Sequence, residues 1–449
     1  MAGSPSGVTV SLSPSPGQAV LRHCYAAALN AVEPSRAMAR TLAETVPAAR
    51  PIFVICIGKA ASGMASGLVT WLAGHGREPA GGMIIAPAAC LAPHPSLTVM
   101  LGDHPLPGSR SRAASDSLAV WLNELPIDVE VHVAISGGAT ALVAGPLPGL
   151  SMDNVTRTFE LLLASGLDIE RSNTIRKRVA RWTAGRLALA LHPRPIAAWL
   201  LSDVPGDDPE VIGSGPCLGD RWSSRDVMAL CRSAGLLEQL PSAVIAALEF
   251  ETPKPCHAAA NAERTAIVAS NQVAMEAARA CAIALGCHAK AMPKPLSGAA
   301  RQVGRQIAQA LLQVRGSRFG IDDTLGEAGR ARVFVYGGET TVALDESAGQ
   351  GGRNQELALA AAQVLAGRGA GVALLAAGTD GRDGPTDAAG AVVDQTTWSA
   401  IQARGIDPLK TLDQHDSYRA LDAAGALLRT GMSGTNVMDL VLAIHQPGV

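Results

Sequence analysis

The chain has 449 residues and a formal net charge of -2, a nearly neutral balance that predicts neither a nucleic-acid partner nor a membrane partner. Hydrophobic residues make up 48% of the chain but aromatic residues only 3%, so the core must consist mainly of Ala, Val, Leu and Ile. No apolar run approaches the roughly 20 residues of a membrane span. The eight cysteines include no C-x-x-C pair, which predicts reduced thiols and a cytoplasmic location. The sequence leaves open whether the chain forms a homodimer.

Short apolar runs alternate with helical patterns through the first half of the chain. Residues 1–17, rich in Ser and Pro, predict a disordered leader. Three runs then read as strands, with helical patterns between them: PIFVICIG (51–58), VEVHVAI (129–135) and IAAWLLSD (196–203). This alternation is typical of a parallel sheet covered by helices on both faces. We therefore expect a Rossmann-like α/β domain over residues 18–252.

A Pro-rich polar segment, residues 251–264, predicts a domain boundary. The alternation resumes beyond it and includes the strand candidates ARVFVYGG (331–338) and VALLAAG (372–378). We expect a second α/β domain over residues 253–449, mainly parallel sheets in both domains, and a ligand site in the cleft between them.

Unusual polar clusters follow several of these strands, at the sheet edge where ligands bind in open α/β folds. In chain order the candidate residues are Gly58, Lys59, Ser136, Gly137, Gly138, Thr140, Asp203, Asp208, Glu339, Thr340, Arg353, Asn354, Asp380, Asp383, Asp387, Thr435 and Asn436.

Two of these clusters suggest an anion and a metal. The stretch SGGAT (136–140) is either a tight turn or a nest of N–H groups for an anion, and flanking hydroxyls favour the nest. In SDVPGDD (202–208), Asp203 and Asp208 either cap a solvated turn or hold Mg²⁺ beside phosphates.

Lys59 and Arg353 stand where helices should begin, a poor place for a cation facing the positive end of a helix dipole. A bound phosphate would remove this conflict, whereas ordinary solvent exposure is the alternative. The loop TDGRDGPTD (379–387) fails the calcium-loop template because Arg382 occupies a ligand position. Its carboxylates are either turn formers and N-caps or part of a loop that holds a cation, a polyol or a phosphate.

Familiar nucleotide motifs are absent from the sequence. There is no G-x-x-x-x-G-K-[ST], and no G-x-G-x-x-G, which weakens an NAD-dependent interpretation. The residues alone indicate an enzyme that handles an anionic, phosphorylated ligand with a divalent cation.

Eight motifs together resemble the class II glycerate kinase family, whose C-terminal part is called the MOFRL domain. They are GKAASGMA (58–65), GDHPLP (102–107), SGGATAL (136–142), SDVPGDDPEVIGSGP (202–216), GGETTV (337–342), GGRNQELALAAA (351–362), AAGTDGRDGPTDAAGA (376–391) and TGMSGTN (430–436). They occur in order over nearly the whole chain, with the MOFRL region at about residues 331–440.

The resemblance implies a kinase that uses ATP and Mg²⁺ to phosphorylate the 2-hydroxyl of D-glycerate. Lys59 and Arg353 match family positions regarded as catalytic, and the other loop residues become candidate cleft lining. For phosphoryl transfer we add Asp380 as the acceptor of the hydroxyl proton and Asp203 and Asp208 as metal ligands. The alternatives are an NAD(P)H-dependent hydroxypyruvate reductase, the label that many relatives carry, and a binding protein without turnover.

Five positions depart from the family pattern: Arg178, Thr183, Arg382, Met432 and Met438. If these side chains line the acid pocket, the preferred substrate is a hydroxy acid related to glycerate.

Overall fold

A computed structural model describes residues 15–313, 329–344, 348–368 and 371–447. The chain forms two compact units. Among the described residues, the N-terminal unit comprises residues 31–270 and the short segment 434–437, and the C-terminal unit comprises all the others. The predicted leader falls outside the described residues as far as residue 14, and its last two residues begin a helix.

The N-terminal unit is built on a six-stranded sheet in which every pairing is parallel. Its strands are β1 Ile52–Ile57, β2 Gly81–Ala86, β3 Leu97–Leu101, β4 Glu130–Ile135, β5 Ile196–Leu201 and β6 Arg264–Ala269. The order β3-β2-β1-β4-β5-β6 is that of a Rossmann fold. The order in which successive strands are added therefore reverses between β1 and β4, which makes the carboxyl ends of these two strands the expected ligand-binding edge.

Ten α-helices lie between Pro16 and Leu248, and the first of them belongs mostly to the C-terminal unit. They are α1 Pro16–Val32, α2 Pro34–Leu42, α3 Ala61–Gly74, α4 Ser109–Glu124, α5 Ala139–Leu142, α6 Met152–Ala164, α7 Ile169–Arg176, α8 Arg186–Leu191, α9 Ser224–Ser233 and α10 Ser242–Leu248. Two of them begin with a reciprocal capping box, in which Ser151 caps α6 and Ser223 caps α9.

The C-terminal unit contains a second six-stranded sheet, which is mixed. Its strands are β7 His288–Ala291, β8 Arg332–Gly338, β9 Val372–Gly378, β10 Gly390–Asp394, β11 Leu427–Leu428 and β12 Asp439–His445, in the order β11-β10-β9-β12-β8-β7. Only the pairing of β7 with β8 is parallel among these strands. The two α/β domains are thus confirmed, whereas the expectation of mainly parallel strands holds for the first sheet and not for the pairings of the second.

The helices of the C-terminal unit are short except for three. They are α11 Asn271–Ala284, α12 Ala300–Leu312, α13 Arg353–Leu365, α14 Thr397–Ala403, α15 Pro408–Asp413 and α16 Ser417–Ala423. Helix α13 is buried almost all round, and α12 approaches it so closely that a Cβ at Gly304 would overlap the Leu357 carbonyl oxygen. The alanine-rich sequence of α13 permits this close packing, which explains how a core with few aromatic residues is filled.

The sequence predicts the strand at residues 264–269 in the second domain, but the structure places it in the N-terminal unit. It pairs with β5 and completes the first sheet, so the N-terminal unit continues to Ser270. The polar segment 251–264 is a connection within that unit. No helix in the described part of the chain is long and apolar enough to cross a membrane.

Candidate active-site residues

The loops after β1 and β4 meet at the point where the strand order reverses. Gly58 has φ +134, and a Cβ there would overlap Ser136 Oγ, so only glycine fits. The two loops are joined by hydrogen bonds from the Lys59 N–H to the Gly137 carbonyl (3.0 Å) and from the Ala60 N–H to Ser136 Oγ (3.0 Å). The structure thus brings Gly58, Lys59, Ser136 and Gly137 together at the edge of the sheet that the fold reserves for ligands.

The charged groups around this loop pair are Lys59, His104 and Asp203. The Lys59 side chain is exposed, and a Cβ on Gly138 would touch both the His104 ring and Lys59 Cγ. Partial burial, together with the positive charges of Lys59 and Arg176, lowers the pKa of His104 to about 4. His104 is therefore neutral at pH 7 and contributes no charge of its own.

Asp203 lies against the same loop, since a Cβ at Gly137 would overlap its Oδ2. Burial raises the pKa of Asp203 although Lys59 opposes the shift. A carboxylate whose charge is costly to bury is stabilised by a cation. Asp203 is therefore suited to be the one carboxylate ligand of a Mg²⁺ ion whose other ligands include phosphate oxygens.

Asp208 has partners of its own. Its Oδ2 accepts from Arg221 (2.5 Å) and its Oδ1 accepts from the Glu210 N–H (2.9 Å). Thr140 is likewise engaged, with its hydroxyl 2.9 Å from Ser214 Oγ. Among the described residues no group of three or more His, Cys, Asp or Glu side chains could hold a metal ion.

Arg353 is the centre of the charged cluster in the C-terminal unit. Its Nε and Nη2 donate to the two oxygens of Asp439 at 2.5 and 2.9 Å, and its Nη1 lies 3.0 Å from Glu339. Asp439 is 2% exposed, so this two-point pair fixes the guanidinium while leaving the Arg353 side chain about one third exposed. Asp439 was not among the predicted site residues. Its position at the start of an apolar strand was the available signal, because a buried charge needs a partner.

Asp380 lies beside this pair at the end of β9. A Cβ at Gly378 would contact both Asp380 Oδ1 and Asp439 Oδ1. The Tyr25 hydroxyl donates to the Gly378 carbonyl (2.6 Å), and burial, with the negative charges of Asp380 and Asp439, raises the pKa of that phenol. The predicted residues Arg353, Glu339 and Asp380 therefore converge, with Tyr25 and Asp439 added by the structure.

Asp383 caps a helix. Its carboxylate accepts from the Asn354 N–H (3.1 Å), the Asn354 Nδ2 (3.2 Å) and the Gln355 N–H (2.8 Å), at the start of α13. It is 2% exposed. Asp383 and Asn354 use these contacts to stabilise the start of the helix that begins with Arg353. Both therefore act on the site indirectly, through the position of Arg353.

The remaining predicted residues are Asp387, Thr340, Thr435 and Asn436. Asp387 is exposed and binds Tyr418 (2.8 Å) and Arg429 (3.0 Å) at the surface. Thr340 is buried, and its hydroxyl has no hydrogen-bond partner within the described ranges. Thr435 is buried and Asn436 half-buried, in the short segment that belongs to the N-terminal unit.

The departures from the family pattern have structural roles or lie at the surface. Arg178 is 1% exposed, lies 3.7 Å from Asp220 and donates to the Trp222 carbonyl. Thr183 is buried and donates to the Ala180 carbonyl (2.9 Å). Arg382 and Met432 are exposed, and Met438 is buried with φ +69.

Asp383 and Asp387 were predicted as equivalent ligands, and replacing each by alanine should separate them. Asp383→Ala leaves two buried N–H groups of α13 without an acceptor, which should cost about 2–4 kcal/mol of the free energy of unfolding. Asp387→Ala removes an exposed ion pair and should cost about 0–1 kcal/mol. Urea unfolding of both variants measures the difference. Equal losses would contradict the capping role.

The pH dependence of stability gives a second readout of Asp383. Burial raises the pKa of this carboxyl to about 6, above the value of about 3.9 expected in the unfolded chain. Between these pH values the folded state binds a proton that the unfolded state does not. The contribution of Asp383 to stability therefore falls as pH rises from about 4 to about 6, and Asp383→Asn should remove that slope.

Comparison with known proteins gives two family matches and several relatives of similar length. Residues 20–249 match a domain of unknown function, DUF4147, and residues 332–439 match the MOFRL family. The chain is 34% identical to D-glycerate 2-kinase of Thermotoga maritima, over 93% of this chain and 95% of that protein. It is 35% identical to a putative hydroxypyruvate reductase of Agrobacterium vitis, over 94% and 93%.

Solved structures agree with these sequence matches. A crystal structure of glycerate kinase from Thermotoga maritima superimposes with a TM-score of 0.84 at 33% identity, covering 96% of this chain and all of that one. A crystal structure of a Pyrococcus horikoshii protein superimposes with a TM-score of 0.78 at 30% identity, covering 97% and 100%.

Proposed function

This chain belongs to the glycerate kinase family that carries the DUF4147 and MOFRL segments, and from that premise we propose that it transfers a phosphoryl group from ATP, with Mg²⁺, to the 2-hydroxyl of D-glycerate. The relatives named glycerate kinase include bacterial, archaeal and mammalian proteins at 30–34% identity. The phosphate donor, the metal and the position of transfer are the parts of this proposal that experiment must test.

One observation supports phosphoryl transfer over hydride transfer. The loop after β1 lies at the reversal of strand order, where a dinucleotide-binding Rossmann fold would carry its G-x-G-x-x-G turn. In this chain the turn presents Gly58 and the exposed cation Lys59 beside the Ser136–Gly138 loop. A lysine at this position suits the phosphates of a triphosphate.

Lys59 and Arg353 are the cations that this proposal assigns to the transferring group. Lys59 offers a compact point charge, and Arg353 offers a planar guanidinium that Asp439 and Glu339 hold in one orientation. Cationic side chains that are already in position before the reaction have to reorganise less as negative charge moves onto the leaving phosphate.

Carboxylates supply the metal ligand and the proton acceptor in this proposal. Asp203 would hold Mg²⁺, whereas Asp208 already forms an ion pair with Arg221. Held there by Asp203, Mg²⁺ would supply positive charge to neutralise the phosphates of the donor. Asp380, half-buried next to the Arg353–Asp439 pair, would orient the glycerate hydroxyl and accept its proton.

A paired assay separates this activity from the reductase name that some relatives carry. The purified protein is incubated with D-glycerate, ATP and Mg²⁺, and separately with hydroxypyruvate and NADH or NADPH. We expect ADP formation that depends on glycerate and no oxidation of the nicotinamide. Robust NAD(P)H oxidation without phosphorylation would overturn the proposal, and binding without turnover in either arm would identify a binding protein.

A further inference from the structure

A cavity of about 750 Å³ lies in the C-terminal unit, between helix α12 and the chain segment that follows β7. Apolar side chains form part of its lining, including Met292, Leu296 and Val303. Polar groups line the rest, among them Lys290, Lys294, Gln306 and Tyr336. Its size is within the range of about 300–1,000 Å³ found for small-molecule sites.

One wall of this cavity is held rigidly against β8. The Met292 N–H donates to the Val335 carbonyl (2.8 Å), and the Leu296 N–H donates to the Gly337 carbonyl (2.8 Å). Between these two anchors, Pro293 and Pro295 restrict the backbone. The backbone of this wall is therefore fixed by its own hydrogen bonds, which lowers the cost of ordering it when a ligand binds.

A buried phenol lines the cavity. Tyr336 is 2% exposed, and its hydroxyl has no hydrogen-bond partner among the residues that the structure describes. Its ring belongs to the hydrophobic core on the α12 side of the sheet. Burying a hydroxyl group without a hydrogen-bond partner costs free energy. A ligand that places a polar atom next to the Tyr336 hydroxyl therefore gains a hydrogen bond.

The cavity is connected to the Arg353 cluster by a short series of contacts. Leu296, which lines the wall, accepts at its carbonyl from the Glu339 N–H (3.1 Å). Glu339 in turn lies 3.0 Å from Arg353 Nη1. A ligand in the cavity therefore lies near the Arg353 cluster, and Lys290 and Lys294 belong to the lining that surrounds it.

We propose that this cavity binds the base and ribose of the phosphoryl donor, a nucleoside triphosphate. The inference rests on the proposed kinase function, which requires such a donor. A planar base suits the apolar lining, its ring nitrogens suit the Gln306 amide and the Tyr336 hydroxyl, and the lysines suit phosphates. The three-carbon acceptor acid has no apolar part and would leave most of the cavity empty.

Substitutions on one helix test this assignment. Gln306 lines the cavity from α12, whereas Gln309 is exposed on the same helix. Isothermal titration of the full-length protein with ADP and Mg²⁺ is compared for wild type, Gln306→Trp and the matched control Gln309→Trp. We expect Gln306→Trp to weaken ADP binding at least about 10-fold and to raise KM for ATP equally, with KM for glycerate unchanged. Gln309→Trp should leave all three values unchanged.

A second, smaller substitution tests the assignment independently of any folding defect in Gln306→Trp. Tyr336→Phe removes one hydroxyl and should weaken ADP binding about 3–10-fold, the value of one hydrogen bond. Tripolyphosphate that still binds Gln306→Trp would place the loss at the nucleoside and support the assignment. Wild-type affinity for ADP in both variants would overturn it, as would a wild-type protein that binds no ADP. If wild type binds ADP and Gln306→Trp does not, yet no glycerate is phosphorylated, the cavity assignment stands and the kinase proposal fails.

Discussion

Replacing Arg353 by lysine is expected to lower kcat for glycerate phosphorylation about 100-fold, because lysine keeps the charge but loses the planar two-point contact. In the structure Arg353 makes this two-point contact with Asp439 through Nε and Nη2. The contact fixes the direction in which its third nitrogen, Nη1, points. A lysine ammonium can reach one oxygen of Asp439 at most, so the cation presented to phosphate loses its orientation. The measurement is kcat and KM for both substrates on the purified variant.

The matched control for Arg353→Lys is Arg301→Lys in the same unit. Arg301 also makes two ion pairs, with Glu356 at 3.3 Å and Asp413 at 3.0 Å, and it is not among the site residues. Both variants should lose about 1–3 kcal/mol of the free energy of unfolding, since each leaves a carboxylate with a poorer partner. Only Arg353→Lys should lose turnover. A loss of kcat in proportion to stability in both variants would show that Arg353 acts structurally.

Replacing Lys59 by methionine is expected to lower kcat about 100- to 1,000-fold, the usual loss when one group that stabilises developing negative charge is removed. Methionine keeps most of the length and apolar character of the side chain. The Lys59 side chain is exposed, so its replacement should change the free energy of unfolding by only about 0.5 kcal/mol. Single-turnover measurements with ATP separate the chemical step from donor binding.

Two further measurements show whether the Lys59 effect is local. Lys410→Met, at an exposed lysine on α15, should retain wild-type kcat. The positive charge of Lys59 contributes to lowering the pKa of His104 to about 4, so Lys59→Met should raise that pKa, which NMR titration of the His104 ring can follow. Unchanged His104 titration together with wild-type kcat would remove Lys59 from the site.

The alternation of short apolar runs with helical patterns was sufficient to predict two α/β domains, because period and run length are local properties of the sequence. Strand pairing is not local. The strand at residues 264–269 follows a polar connection that looks like a domain linker, yet it hydrogen-bonds with β5. In the second sheet β12 inserts between β8 and β9 in the opposite direction, and strands buried on both faces carry no pattern that reveals direction.

The positions of Lys59 and Gly137 could be predicted because ligand-binding loops follow strand ends, and that of Arg353 because its motif reads as the start of a helix. The roles of the acidic residues depended on partners distant in sequence. Asp383 accepts from the N–H of Asn354, 29 residues earlier in the chain, and Asp208 is held by Arg221. Asp439 was missed because only the structure shows that a guanidinium 86 residues away neutralises it.

The phosphorylated product itself provides the most direct test of the proposed reaction. The protein is incubated with D-glycerate, ATP and Mg²⁺, and the mixture is followed by ³¹P NMR with coupling to protons. We predict one new phosphate monoester for each ADP formed, with its phosphorus coupled to the single proton on C2, as in 2-phosphoglycerate. Coupling to the two protons on C3, or consumption of ATP without any new phosphate ester, would contradict transfer to the 2-hydroxyl.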